Sequence, residues 1–589
     1  PDPEPTVVCS QRLGTGGCVT TTVNNPSVTD STCPTGSTLT TSGVSYTTTT
    51  TTYSCPDPNS NSNPVANSTT SAPIVTQTKV CTVTPVLTCA EKLGTGIYVD
   101  KTVTDRVVDT SCPAGQREVQ SGVVDTTTVT TYSCPTPSSL DNPVSNVAVT
   151  STLIRNKMCN DVSPNTTSYF KTKTGVPEAQ AAGFNGTGVK VAVFDGGFNT
   201  SHITFAGRTT TFGALVDNDT HGTYVTSIIG GTAAGLYGGG VAPNVTFGLA
   251  EFAVAGNQLY DMADWGADVF NFSFGYDLET AGATNTQVAT YVNPWLAEMR
   301  YIKDSGAFIA ISAGNESSAS VQILAGAPAF YSDLTHILAV AALEPQTGLL
   351  ASYSNKCGSV AMNFCITAPG TVFLPLASVN AGSTLQLADY ESFNGTSAAA
   401  PVVSGIAALV YDAFPGMTGT QVRDTLISTA TDIGSLGVDE IYGVGLVNAA
   451  KAVQGPGALS VTFMAAVPDG VTWNFGNDIA GEGDLVKIGG GDLTLTGNNT
   501  YAGPTRIGGG ALNLYGSLGS DIFLQGGAFN AYGGTVNGDV HADAGTLGLA
   551  AGSTLQINGM LDLNGAGLTL LAPSGYISQW QGTVLTAAS

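Results

Sequence analysis

Four apolar runs restrict what the middle of this chain can become. They are "VKVAVFD" (189–195), "GADVFNFSFG" (266–275), "GAFIAISAGN" (306–315) and "HILAVAAL" (336–343). Each is apolar at almost every position instead of at alternate ones, as expected for a strand buried on both faces. Stretches of helical character lie between them, such as "HGTYVTSIIGG" and "VNPWLAEMRYIKDSG". Buried strands alternating with helices predict a mostly parallel sheet covered on both sides. In such a sheet the working groups gather at the carboxyl ends of the strands. Asp195 closes the first of these runs, and polar turns close the others.

The 589 residues exceed what one such sheet needs and suggest three or four domains of about 100–200 residues. Texture divides them into two modules at 1–80 and 81–160, an α/β domain at 161–455 and a Gly-rich segment at 456–589. The net charge of −24, with only 19 Lys and Arg, excludes the basic footprint that nucleic-acid binding requires. Nine of the eleven cysteines precede residue 160, and the other two are Cys357 and Cys365. That usage fits disulfides formed in an oxidising compartment. A zinc site would need close Cys-x-x-Cys or Cys/His pairs, and none occurs. No run of 18 apolar residues is present, so no membrane-spanning helix is expected. The opening "PDPEPTVVCS" lacks a signal-peptide core, which suggests a trimmed chain.

The first two modules are copies. "CSQRLGTGGCVTTTV" from Cys9 returns as "CAEKLGTGIYVDKTV" from Cys89, and "TTYSCPDP" from Thr51 returns as "TTYSCPTP" from Thr130. Cys9, Cys33, Cys55 and Cys81 match Cys89, Cys112, Cys134 and Cys159 at offsets of 80, 79, 79 and 78. Thr- and Val-rich runs between Gly and Pro turns favour short strands. Each quartet can close two disulfides in three pairings, and Cys18, replaced by Tyr98 in the second copy, is left over. Such modules serve either as binding elements or as stapled spacers. In the last segment Leu493, Leu512, Phe529 and Leu547 lead similar Gly-flanked units at spacings of 19, 17 and 18. Rungs of that length suit a right-handed parallel β-helix, with a compact β-sandwich as the other choice.

Ser397, in "FNGTSAAAPVVSGIAALV", is on its own either the cap of a buried helix or a nucleophile. Asp195 alone reads as a turn acid, and Asn315 alone as an Asx turn or cap. Of four histidines, His221 stands where a helix would hold its imidazole open to a cleft while Val225, Ile228 and Ile229 pack inward. His202 falls in a loop, His336 opens a strand and His541 lies in the last segment.

Taken together, "VAVFDGG", "HGTYVTSIIGG" and "NGTSAAAPVVSG" resemble, in this order, the three signatures of the subtilisin-like serine proteases. "FNFSFG", "ISAGN" and "YGVGLVNAAKAV" resemble that family's substrate-binding strand, oxyanion segment and closing helix, so the likeness covers roughly residues 175 to 453. The resemblance implies a triad of Asp195, His221 and Ser397. It makes Asn315 an oxyanion donor and Ser273, Phe274 and Gly275 the edge that pairs with an extended substrate. The visible pocket walls suggest small, apolar surroundings for the substrate side chain. The sequence departs from the family at Gly196, where a hydroxyl residue is usual, and at Tyr224, where His is frequent. The missing hydroxyl means that the hydrogen bonds of Asp195 must come from elsewhere.

"SNKCGSVAMNFCITAPG", with a Cys357–Cys365 disulfide, resembles autotransporter members of the family, and "GGGDLTLTGNNTYAGPTRIGGGALNL" resembles their passenger repeat. The fold class expected is therefore multidomain. Duplicated disulfide-stapled β-rich modules precede an α/β subtilisin-like domain, and a parallel β-helix follows it. The activity implied is a secreted or cell-surface serine endopeptidase, of a Gram-negative bacterium, acting on polypeptide substrates, on surface proteins or on itself. An outer-membrane translocator barrel is expected in the precursor. No cofactor is needed for the chemistry. Family members often bind structural calcium, yet no Asp-x-Asp-x-Asp-Gly loop occurs here. Two other readings are an adhesin whose first modules bind a partner while the protease domain only processes the chain, and a protease-like scaffold without activity.

Overall fold

The apolar runs pair as expected of doubly covered strands. A computed structural model of the chain describes residues 168–564, apart from residues 218, 253–255, 346 and 551–552, together with strand backbone elsewhere. Its central sheet has seven strands: β1 (Lys190–Asp195), β2 (Thr209–Thr211), β3 (Thr246–Glu251), β4 (Val269–Phe272), β5 (Phe308–Ser312), β6 (Ile337–Leu343) and β7 (Cys365–Pro369). They lie in the order β2-β3-β1-β4-β5-β6-β7, and every pairing is parallel. Successive residues enter opposite cores. Val191 and Val193 pack in one, and Ala192 and Phe194 in the other. Phe308 and Ala310 alternate with Ile309 and Ile311 in the same way.

Helices α1 (His221–Gly230) and α2 (Thr396–Ala413) cover one face. The helices Gln258–Asp264 and Leu296–Asp304 cover the other. Helix α2 is long and apolar enough to cross a membrane, but it is 94% buried inside the protein. Val402, Val403, Ile406, Leu409 and Val410 are all completely buried. At about 1.5–3 kcal/mol for each large apolar side chain removed from water, this helix anchors its face of the sheet. Cys357 and Cys365 are bonded, with S–S 2.01 Å, and close an eight-residue separation into β7.

The chain separates into two compact units, residues 1–109 with 122–156 and residues 110–121 with 157–589. The first holds three antiparallel sheets. Thr20–Asp30, Gly43–Ser54, Val65–Thr70 and Ile74–Gln77 form one, Tyr98–Asp109, Gly122–Ser133 and Val144–Arg155 another, and the pair Ser37–Thr41 and Val80–Val83 the third. The cysteine pairings expected before residue 160, and the place of Cys18, lie outside the described residues.

In the second unit, parallel strands follow the α/β sheet. Trp473, Leu493, Leu512, Phe529, Leu547 and Leu568 stand in register, each beside the next. The first of these strands packs directly on the α/β domain. Trp473 and Phe475 are fully buried against Phe414, at 6.2 and 5.2 Å between ring centroids. The Trp473 indole donates to the Pro415 carbonyl at 3.1 Å. One apolar core therefore runs from the α/β domain into the stacked strands. Trp473→Ala is expected to lower unfolding stability by about 3–5 kcal/mol, measured by urea denaturation. An unchanged transition midpoint would contradict the shared core.

Candidate active site

Asp195 ends β1 at the carboxyl edge of the sheet and is only 1% exposed. Its Oδ1 accepts from the His221 imidazole Nδ1 at 2.6 Å and from the Gly196 N–H at 2.7 Å. Its Oδ2 is buried without a hydrogen-bond partner among the described residues. Gly196, the next residue, has no side chain that could serve it. The Gly196 Cα faces Phe252, Asp217 and Asp219, and a Cβ built there would lie 3.1 to 3.4 Å from them. Burial raises the proton affinity of Asp195, against the opposing pull of His221. Gly197 has φ +60°, and a Cβ there would collide with the Asp219 carbonyl, so the turn after Asp195 needs glycine.

His221 is the first residue of α1, and its side chain is 28% exposed. Val225, Ile228 and Ile229 are completely buried and hold the helix against the sheet. Burial lowers the imidazole pKa, but the Asp195 charge, its hydrogen bond and the Asp219 charge together raise it above the ordinary 6.5. Phe393 meets the imidazole edge-on, at 5.1 Å between ring centroids. One turn along α1, Tyr224 donates to Glu391, accepts from the Ala377 N–H at 3.1 Å and packs on Phe393. Tyr224 thus ties the His221 helix to the hairpin Thr371–Pro375/Tyr390–Asn394 that leads into α2.

Ser397 is the second residue of α2 and is 8% exposed. It is not the cap; Gly395 holds that position with φ +136°. Pro401 stands inside the helix. Its missing N–H would have served the carbonyl four residues back, that of Ser397. The Ser273 hydroxyl donates to that carbonyl instead, at 3.1 Å. Ser273 is oriented in turn by the Asn271 amide at 2.8 Å, whose oxygen accepts from Ser404 at 2.8 Å. The Ser397 hydroxyl donates to the Ser273 carbonyl at 3.0 Å. No hydrogen bond joins Ser397 to His221 among the described residues. Such bonds often close only when substrate is bound.

Asn315 follows β5. Its Oδ1 accepts from the Thr396 N–H at 2.8 Å and from the Thr396 hydroxyl at 3.0 Å. Both bonds end on the amide oxygen, so the amide nitrogen is the end left for the cleft. Asn315 and Ser397 line one cavity of about 170 Å³ with Ser273, Phe274 and Gly275. Asp277, Glu316 and Gln322 also line it, so its walls are more polar than the sequence suggested. Gln322 is 1% exposed. It donates to the Ser312 carbonyl at 3.1 Å and accepts from the Leu324 N–H at 2.9 Å. A Cβ on Gly275 would collide with the Gln322 amide, so part of the space opened by this glycine is taken. The Phe274 ring packs against Phe194, Phe272 and Trp295, leaving its backbone to the cavity.

Asp195 and His221 are hydrogen-bonded. Ser397, Asn315 and residues 273–275 share the cavity, and Cys357 and Cys365 are not among its lining residues. Thr396, Asn271 and Gln322 were missed by sequence reasoning, because a lone Thr, Asn or Gln near a strand end carries no spacing signal. The other histidines stand apart. His202 is buried between Thr204 and the Leu376 carbonyl, with its pKa pushed down to about 4, and His336 is buried and pushed to about 3. Among the described residues no group of three or more His, Cys, Asp or Glu is placed to hold a metal ion.

A hydroxyl, an imidazole and a buried acid at the carboxyl edge of a parallel sheet define an α/β protein of the serine-hydrolase class. Residues 186–445 match the subtilase family, and residues 485–514 match the passenger-associated transport repeat. Subtilisin DY of Bacillus licheniformis is 32% identical over 295 residues, covering 47% of this chain and 95% of the subtilisin. The chain belongs to the subtilase family of serine endopeptidases. It is also 31% identical over 420 residues to the neisserial autotransporter lipoprotein NalP of Neisseria meningitidis serogroup B, covering 61% of this chain. Serotype-specific antigen 1 of Mannheimia haemolytica is 34% identical over 207 residues, covering 35% of this chain. The chain spans 38% and 22% of the lengths of these two proteins.

The unpaired Asp195 Oδ2 generates a prediction. Gly196→Ser adds a donor on the residue next to the carboxylate. It serves Oδ2 provided that Phe252, itself 45% exposed, yields a few tenths of an ångström and that the Asp217 and Asp219 carboxylates, 3.3 and 3.4 Å from a Cβ built there, do not take the hydroxyl. A new bond stabilises the unprotonated Asp195–His221 couple. The acid limb of the pH–rate profile is then expected to move to lower pH. A shift to higher pH, or none in a folded variant, would contradict this reading of Gly196.

Proposed function

We propose that this chain is an exported serine endopeptidase in which Ser397, His221 and Asp195 carry the reaction. Ser397 attacks the peptide carbonyl, and His221 takes its proton and later gives it to the leaving amine. Asp195 holds the imidazole in one tautomer and stabilises its cation. The Asn315 amide and the Ser397 N–H stabilise the oxyanion, and water clears the acyl-enzyme. All of this chemistry runs on protein groups. The observation that carries the reading is the buried 2.6 Å Asp195–His221 bond beside a helix whose second residue is Ser397.

The substrate is an extended polypeptide pairing with the backbone of residues 273–275. Asp277 and Glu316 on the cavity walls favour a cationic side chain over an anionic one. The protein acts outside the cytoplasm, as a secreted or surface protein of a Gram-negative bacterium. This agrees with the transport-repeat match and with the names of the relatives. The in-register strands after residue 463 support a parallel β-helix running on from the protease domain. A translocator barrel is the partner this arrangement calls for. The domains proposed are modules at 1–80 and 81–160, the protease at 161–455 and the β-helix at 456–589.

A fluorophosphonate probe is expected to label the chain, and Ser397→Ala to abolish labelling and peptide cleavage together. His221 must be neutral to accept a proton, and its pKa is raised. Turnover should therefore fall as pH drops through a midpoint above 6.5. In a peptide library, Lys or Arg should precede Asp or Glu next to the cut. A folded chain that neither labels nor cleaves would overturn the proposal.

A further inference from the structure

The loop that carries Asn315 has little secondary structure of its own. It leaves β5 through Gly314, at φ +106°, and includes Ser317 at φ 57°, the one non-glycine residue with positive φ among the described residues. A segment held this way persists only when its surroundings over-determine it. Thr396 holds it on one side, through the Gly314 N–H and the Asn315 amide oxygen, and a strip of chain, residues 352–356, holds it on the other. The Asn355 N–H donates to the Gly314 carbonyl at 3.0 Å, and the Lys356 N–H to the Ser318 carbonyl at 3.0 Å. The Ser317 N–H donates to the Tyr353 carbonyl at 2.9 Å.

The Asn355 side chain occupies the centre of this strip and is 1% exposed. Its Oδ1 accepts from the N–H groups of Glu316, at 2.9 Å, and Ser318, at 3.0 Å. Its Nδ2 donates to the Ala313 carbonyl at 3.1 Å and to the Glu316 carboxylate at 2.9 Å. All four bonds bracket Asn315 from either side; Asn355 itself does not line the cavity, and it meets that wall only through the Glu316 carboxylate. A Cβ on Gly314 would collide with the Asn355 amide, so the close approach requires glycine there.

We propose that Asn355 is a positioning residue for the oxyanion hole. It fixes the backbone on both sides of Asn315, so that the amide needs no reorganisation when charge develops on the substrate oxygen. The inference rests on the serine-endopeptidase reading. The Glu316 carboxylate, on the cavity wall, is set by the same amide. Removing Asn355 leaves two backbone N–H groups without their acceptor and frees the loop to drift. The oxyanion interaction lost is one realised in the transition state, so with a substrate whose side chain is uncharged, and so makes no use of Glu316, turnover falls and affinity does not.

The test is a double-mutant cycle on the full chain with Asn355→Ala and Asn315→Ala. Asn315→Ala alone is expected to reduce kcat by about 10²–10³, the size known for this family's oxyanion asparagine. Asn355→Ala should reduce kcat by about tenfold or more with KM within about twofold, and weaken a peptide boronate inhibitor in parallel. In the Asn315→Ala background its cost should nearly vanish. Equal costs in both backgrounds, or a loss confined to KM, would overturn the positioning role. If Asn315→Ala itself leaves kcat unchanged, the oxyanion reading fails instead, which is a separate result. Asn355→Asp, which keeps the accepting oxygens and loses the donor, goes through the same cycle and decides the matter if the alanine variant does not fold.

Discussion

Pro401 removes one hydrogen bond from the most deeply buried helix of the protein, and the site is built around that removal. A proline inside a helix withholds an N–H and crowds the carbonyl four residues earlier. Here that carbonyl belongs to Ser397. An orphaned carbonyl in this place would cost about 1–3 kcal/mol, so something must reach it. Ser273, one residue beyond the end of β4, donates to it, and its own carbonyl accepts the Ser397 hydroxyl. The two serines are thereby locked in a reciprocal pair, and a defect in α2 becomes the joint between the helix and the sheet.

The same economy governs the other groups. Asn315 is held by Thr396, the residue next to Ser397, so the proposed oxyanion donor and the proposed nucleophile share one anchor. His221 is fixed through Asp195 on one side and the Phe393 edge on the other. Tyr224 binds the helix of His221 to the hairpin preceding Ser397. The exception is Asp195, whose Oδ2 has no partner among the described residues. A carboxylate buried with one oxygen unserved is costly, and the attraction of His221 offsets that cost. The pair is therefore more tightly coupled here than it would be with a hydroxyl at position 196.

Much of this was legible in the residues. Runs without polar alternation such as "VKVAVFD" gave away strands covered on both faces, because solvent tolerates no such pattern. The spacing of Leu493, Leu512, Phe529 and Leu547 anticipated the register in which those residues stack. Gly196 signalled that the bonds of Asp195 had to come from elsewhere; the Gly196 N–H and His221 serve Oδ1, and no group serves Oδ2 among the described residues. Other features were illegible for physical reasons. Ser397 could be read as the cap of a buried helix; the cap is Gly395, at φ +136°, which sets Pro401 inside the helix. The pocket was read as apolar from the strand residues alone; Asp277 and Glu316 stand just past the quoted strand ends, and Gln322 lies further on in the chain. Asn355 lies 40 residues after Asn315, and no local pattern links them.

The central claim is that the Ser273 hydroxyl replaces the bond withheld by Pro401 and so sets the position of Ser397. The direct measurement is kcat/KM across a cycle of Ser273→Ala and Pro401→Ala, with fluorophosphonate labelling to count intact sites. Ser273→Ala should lower kcat/KM in the Pro401 enzyme by about tenfold, the equivalent of one buried hydrogen bond. In the Pro401→Ala background the restored helix N–H serves the carbonyl, and the same substitution should cost far less. Equal losses in both backgrounds would show that Ser273 acts on the substrate alone and would contradict the account.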